Sequence, residues 1–206
     1  MIHRIDYALM ETSLGTLLVA ATPRGVCRIA FGENEAELAS QLVDTLPFAA
    51  LRRDDARLAP FVTAIADYIG GRAQTLDLPL DVRGSEFRRR VWDALATIPR
   101  GATRSYADVA RSIGMPRAAR AVANACAANP VAVAIPCHRV VASDGSLAGY
   151  RWGIERKRAL LAREGAGYGV AFDSAANASS GIRAMRISER QSIPKSHGQS
   201  RPMGLV

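Results

Sequence analysis

The apolar residues of this chain change their period partway along it. In residues 4–32 they fall in short runs of strand composition, "RIDYALMET", "LGTLLVAAT" and "VCRIAFG", with a turn at Pro23-Arg24-Gly25. After residue 85 they recur at three- and four-residue spacing: Phe87, Val91, Leu95 and Ile98 line one side of a helix that Pro99-Arg100-Gly101 stops. A two-residue period buries one face of a sheet, and a period of about 3.6 buries one stripe of a helix. The expected fold class is therefore α/β plus α, an antiparallel meander giving way to a mostly helical part.

Two helices are predicted between these regions. "NEAELASQLVDTL" has Asn34 as its N-cap, and "DDARLAPFVTAIADYIGG" keeps helical spacing until two glycines end it; together they would cover one face of the sheet. "TLDLPLDVRG" alternates apolar and polar residues and reads either as another strand or as an extended linker. It places a domain boundary within residues 75–84, giving units 1–80 and 81–165. Beyond Gly165 no period survives, and residues 166–206 read as a disordered tail.

Composition narrows the function. A chain of 206 residues, 49% of them hydrophobic, can bury a real core. No stretch approaches the roughly 18 consecutive apolar residues of a membrane span, and the first residues hold no signal-peptide core, so a cytoplasmic protein with no membrane partner is expected. Cys27, Cys126 and Cys137 are far apart and odd in number, which makes neither a disulfide framework nor a zinc-ligand pair and suits a reducing compartment. The net charge of +8 suits an anionic partner such as nucleic acid. "SYADVARSIG" and "PRAARAVANACAAN", joined through Gly114-Met115-Pro116, have the form of a helix-turn-helix, although an ordinary helical hairpin would look the same.

The chemistry concentrates in "AIPCHRVVASDG". Pro136 fixes the backbone just before Cys137, after "VAVAI", which has strand composition. A thiol is a poor nucleophile until it loses its proton, and His138 and Arg139 are groups that lower its pKa or accept that proton. Successive side chains of an extended chain diverge, so a direct Cys137–His138 hydrogen bond needs a bend after the proline or a bridging water. Taken alone, the motif reads more readily as a buried structural cysteine beside an exposed His-Arg pair.

"IPCHRVV", with "SYADVA", "RAVANACAANP" and "GYRWGIERKRALLAREG" around it, resembles the methylated-DNA protein-cysteine methyltransferases, or O6-alkylguanine-DNA alkyltransferases. The likeness covers residues 4–165 and is greatest to the carboxyl-terminal part of the bacterial adaptive-response protein. It implies DNA repair by irreversible, single-turnover transfer of a methyl or small alkyl group from O6 of guanine, and from O4 of thymine, to Cys137. By the same resemblance, His138 takes the thiol proton through a water, Glu164 orients His138, and Asn129 braces the turn before the active site. Tyr106 and Arg120 would flip the base out of the duplex, while the small Ala119 and Ala121 let their helix approach the minor groove. Val140, Tyr150, Arg151 and Trp152 would form the guanine pocket, with Trp152 replacing a glycine of some relatives and disfavouring large O6 substituents.

The resemblance further implies a ribonuclease-H-like amino-terminal domain, a monomer acting on alkylated double-stranded DNA, and no cofactor. His3 and Cys27 are the only soft ligands before residue 126, so no zinc site is expected. The zinc-cysteine and regulatory domains of the adaptive-response protein have no counterpart in this sequence, so phosphotriester repair and transcriptional control are not expected. Alkyltransferase-like proteins that bind damage without repairing it replace the cysteine, which speaks against that reading here. A helix-turn-helix regulator or a redox switch at Cys137 would leave the other matched residues without a role.

Overall fold

The computed structural model describes residues 3–165, and within them the change of period becomes a change of architecture. The tail expected at 166–206 lies outside the described residues. Strands β1 (His3–Thr12), β2 (Gly15–Thr22) and β3 (Gly25–Gly32) form the expected meander. β2 lies in its middle and is buried on both faces from Thr16 to Ala21, although Thr16 is polar. A fourth strand, β4 (Ala49–Arg53), pairs in parallel with β1 and completes the order β3-β2-β1-β4. Its sequence, "AALRR", is short and half exposed, so its strand character comes from pairing and not from an apolar run.

Helix α1 (Glu35–Thr45) begins where expected, with Asn34 Oδ1 accepting from the Glu37 amide. Helix α2 (Asp55–Ile69) is capped by Asp54 in the same way. Leu38 and Leu42 of α1, and Leu58, Val62 and Ile65 of α2, are buried as the two helices pack on the sheet. "TLDLPLDVRG" then runs extended along the sheet edge, touching it through one bridge between Leu80 and Val26. The Val26 amide donates to Pro79 O at 2.7 Å and the Asp81 amide to Val26 O at 2.9 Å, so this connection is stapled down.

The rest is helical, as expected: α3 (Glu86–Ala96), α4 (Tyr106–Ser112), α5 (Ala119–Ala127) and α6 (Ile154–Glu164). Val91, Trp92 and Leu95 are the buried side of α3, and Trp92 Nε1 donates to Ala125 O of α5 at 2.9 Å. Ser105 and Asp108 form a capping box that opens α4. Gly114 takes φ 74° in the turn to α5, which begins three residues after Pro116. A small parallel ladder unites β5 (Arg104–Ser105) with β6 (Val140–Val141) and so ties the start of α4 to the segment that follows Cys137.

One local expectation fails. "VAVAI" is not a strand: only Val131 bridges to the sheet, at Ile29, and the chain then turns, with Val133 in the left-handed region at φ 68°. Its apolar residues serve burial within a tight turn, which the composition of a strand imitates.

Candidate active site

The turn from Pro130 to Pro136 delivers Cys137 into the core, and residues Cys137–Arg139 wind as one turn of 3-10 helix. Asn129, wholly buried at the end of α5, holds this turn in shape. Its Nδ2 donates to Ile135 O at 2.8 Å and to Cys137 Sγ at 3.2 Å, and its Oδ1 accepts from the Val131 amide at 3.0 Å. The thiol is 4% exposed, and its polar neighbour is this amide.

His138 makes no hydrogen bond to Cys137. Its Nε2 lies 3.0 Å from Glu164 Oε1 near the end of α6, and its Nδ1 is buried without a protein partner. Burial lowers the His138 pKa despite Glu164, so the ring is neutral at pH 7. Burial alone would raise the Glu164 carboxyl, but hydrogen bonds from His138 and Arg139 overcome it and hold the group down to about 2. The carboxylate is thus a fixed negative charge behind a neutral imidazole.

Two more residues complete the site: Arg139, expected from the sequence to act on the thiol, and Lys157, which has no role in the sequence reading. Arg139 donates from Nε and Nη2 to Glu164 at 2.9 and 2.8 Å, from Nη1 to Ile98 O at 2.6 Å, and from Nη2 to Tyr68 OH at 2.5 Å. Its guanidinium therefore serves the carboxylate and not the thiol. Lys157 is fully buried, with Nζ donating to Val140 O at 2.6 Å and Ala148 O at 3.0 Å. Burial lowers its pKa to about 8, opposed by the cysteines at 137 and 126. A signal for Lys157 exists in the sequence: it stands on the stripe of α6 that also carries Leu160, Leu161 and Glu164, at helical spacing.

The expected depression of the Cys137 pKa is reversed. Burial pushes the thiol up to about 11, against the Asn129 hydrogen bond and the charges of Lys157 and Arg151. In the free protein, desolvation outweighs every cation near it.

The other candidate residues divide into two groups. Around the thiol lie Tyr106, pushed up to about 12 by burial and the neighbouring cysteines, and Tyr150, which packs edge-on against Trp152 at 5.1 Å between ring centres. The Tyr150 hydroxyl is buried without a protein partner, Val140 is buried, and Arg151 is exposed beside the Trp152 ring. Arg120 and Ala121 are instead exposed on α5, with Ala119 half-buried, while Val122, Ala125 and Cys126 bury the opposite side of that helix. This second group is a surface feature and does not touch the thiol.

Comparison with known proteins places both halves of the chain. Residues 5–82 match the family model described as "6-O-methylguanine DNA methyltransferase, ribonuclease-like domain", and residues 86–166 match "6-O-methylguanine DNA methyltransferase, DNA binding domain". The chain is 48% identical over 160 residues to the "Bifunctional transcriptional activator/DNA repair enzyme Ada" of Escherichia coli, covering 78% of this chain but only 45% of that protein. It is 38% identical to a "Methylated-DNA--protein-cysteine methyltransferase" of Methanosarcina barkeri, covering 77% of this chain and 96% of that one. Among solved structures, the Mycobacterium tuberculosis OGT in complex with DNA superposes with a TM-score of 0.68 at 37% identity, covering 78% of this chain and 92% of that chain. Both halves of the described fold, a small sheet domain and then helices, have their counterpart in that structure.

Proposed function

The chain belongs to the 6-O-methylguanine DNA methyltransferase family, and on that premise we propose that it repairs alkylated double-stranded DNA by direct reversal. A methyl or small alkyl group moves from O6 of guanine, or from O4 of thymine, to Sγ of Cys137. The carbon–oxygen bond breaks as the sulfur–carbon bond forms, the thiol proton is taken up by the site, and the base leaves with a proton in place of its alkyl group. The thioether is stable, so each molecule acts once and needs no cofactor.

The arrangement that carries this reading is a buried thiol braced by Asn129 beside a neutral His138 backed by an anionic Glu164. His138 offers Nδ1 to a water that relays the thiol proton, and Glu164 stabilises the imidazolium that results. Asn129 sets the turn, and Arg139 keeps Glu164 in place. We assign Tyr106, Val140, Tyr150, Arg151 and Trp152 to the pocket for the extruded base. Arg120, with Ala119 and Ala121, belongs to the helix that enters the minor groove, as the second helix of a helix-turn-helix. Residues 1–80 act as an accessory domain, residues 81–165 bind DNA and accept the alkyl group, and the protein works as a cytoplasmic monomer.

Intact-mass measurement after incubation with a duplex containing O6-methylguanine tests the proposal. The expected result is a gain of one methylene per molecule and then no further reaction. Sustained turnover, or transfer by a Cys137→Ser protein, would overturn it.

A further inference from the structure

The guanidinium of Arg156 on α6 uses all three of its nitrogens to join separated parts of the chain. Nε donates to Leu14 O, in the turn between β1 and β2, at 2.6 Å. Nη2 donates to Gly32 O at the end of β3 at 3.1 Å and to the Glu33 carboxylate at 2.7 Å. Nη1 donates to Trp152 O at 3.0 Å. The side chain is only 18% exposed, so these bonds are largely sheltered from water. The hairpin makes room for it with a glycine: at Gly15, whose φ is 92°, an added Cβ would stand 2.8 Å from Nη2 and 2.7 Å from Gly32 O.

The next residue of α6 holds the same loop from another side. Lys157 Nζ donates to Val140 O, directly after the Cys137–Arg139 turn, and to Ala148 O. The segment from Ala148 to Trp152 is therefore fastened at both ends, by Lys157 to the active-site turn and by Arg156 to the sheet. Within it the Gly153 amide closes a turn onto Tyr150 O at 3.0 Å, and the Tyr150 and Trp152 rings meet edge-on. Trp152 is buried in the same core as Cys137. Gly153, the N-cap of α6, has no side chain with which to cap it, so this turn depends on the bonds that Arg156 and Lys157 supply. A guanidinium presents its donors in one rigid plane, which makes Trp152 O share the position of Leu14 and Gly32.

We infer that Arg156 is a positioning residue of the base pocket: through Trp152 O it fixes the wall made by Tyr150 and Trp152 against the amino-terminal sheet, and so sets how large an O6 substituent the pocket admits. This rests on the proposed function, which assigns both aromatic residues to that pocket. A wall seated on the sheet cannot give way to a bulky group, whereas a wall whose carbonyl is released can swing aside. The sheet domain, which contributes no reacting group, thereby acts on specificity through one side chain of the other half.

The test compares rates of alkyl transfer, read by intact mass, from duplexes carrying O6-methylguanine and O6-benzylguanine, for the wild type, Arg156→Met, Trp152→Gly and the double variant. Arg156→Met is expected to raise the benzyl-to-methyl rate ratio by about tenfold, the scale on which the fit of a pocket discriminates between substituents. Because Arg156 acts through Trp152, the double variant is expected to keep the ratio of Trp152→Gly alone to within about twofold. A merely structural arginine lowers both rates together, so an unchanged ratio in Arg156→Met overturns the inference, as do effects that multiply in the double variant. Where Arg156→Met does not fold, Arg156→Lys decides in its place: it keeps the stem and a charge for Glu33 but lacks the planar fork that reaches the carbonyls, so the ratio should rise in the same direction, and an unchanged ratio overturns the inference. Methyl transfer by the wild type is read separately: a wild type of unchanged mass refutes the proposed function itself, whereas a wild type that takes the methyl group while the Arg156 variants keep its ratio loses only this inference.

Discussion

A thiol pushed up to about 11 is neutral at pH 7, so Cys137 is quiet until substrate arrives. Its alkylation by iodoacetamide in the free protein is expected to keep accelerating beyond about pH 9, where an ordinary cysteine levels off. A plateau near pH 7 would mean that the nearby cations prevail over burial. Lys157→Met should slow the reaction further at every pH, since it removes a charge that favours the thiolate. Glu164 carries a second expectation. Its folded pKa of about 2 is below the ordinary value of about 4.3, so its contribution to stability is complete above that value and is lost as pH falls towards 2. Buried neutral His138 adds to the same acid sensitivity, starting from about pH 6.5 downward, because only the unfolded chain protonates freely there. Melting temperatures across this range should fall more steeply for the wild type than for Glu164→Gln, which in turn should melt lower at pH 7. At this scale the sequence discloses Cys137, His138, Asn129 and Glu164 because they stand in a recognisable motif. Arg139 looks like a surface residue in the sequence, and Lys157 shows its burial only through its place on the apolar stripe of α6.

The turn between α5 and Cys137 depends on one side chain. Asn129→Ala would leave the Val131 amide and the Ile135 carbonyl without their partner inside the protein, at about 1–3 kcal/mol for each buried group left unmade. The variant should unfold at clearly lower denaturant, and its thiol, freed from the Asn129 amide, should titrate higher still. Helix α5 has a different dependence. Arg120 is exposed and supports nothing in the core, so Arg120→Ala should leave the melting temperature within about a degree or two. It should slow repair of duplex DNA by about tenfold or more, and much more than transfer from a free O6-alkylguanine base, because holding a base out of its stack is worth a few kcal/mol. Equal losses on both substrates would make Arg120 a chemical residue. Helices α1 to α3 could be read from their spacing and caps, since each buries a regular stripe. The strand β4 and the β5–β6 ladder could not, because two to five residues carry too little pattern and owe their form to neighbours far away in the chain. "VAVAI" misleads for the complementary reason, its apolar density reflecting depth of burial and not backbone direction.

The two halves of the molecule meet at the hydrogen bonds of Arg139. Tyr68, on α2 of the sheet domain, accepts from the same Arg139 that holds Glu164. Tyr68→Phe keeps the ring beneath Arg100 and removes only the hydroxyl, so it should cost about 1 kcal/mol of stability. Combined with Glu164→Gln in a double-mutant cycle, the two losses should fall short of additivity, because both act on one guanidinium. Additive losses would show that the sheet domain is a passive support. The two-part plan was legible in the change of hydrophobic period, but this union was not, since the contacts that make it join residues with no local pattern in common. The longest of them is Arg156 on α6, which donates to Leu14 O at 2.6 Å across 142 residues and to Gly32 O at 3.1 Å across 124. Contacts of that span are made last, after the loop between their ends has been closed against its entropy. Glu164 lies two turns further along α6, beyond this fastening. A chain emerging from the ribosome can therefore finish its sheet early, but His138 has no Glu164 behind it until α6 has docked back onto the first hairpin.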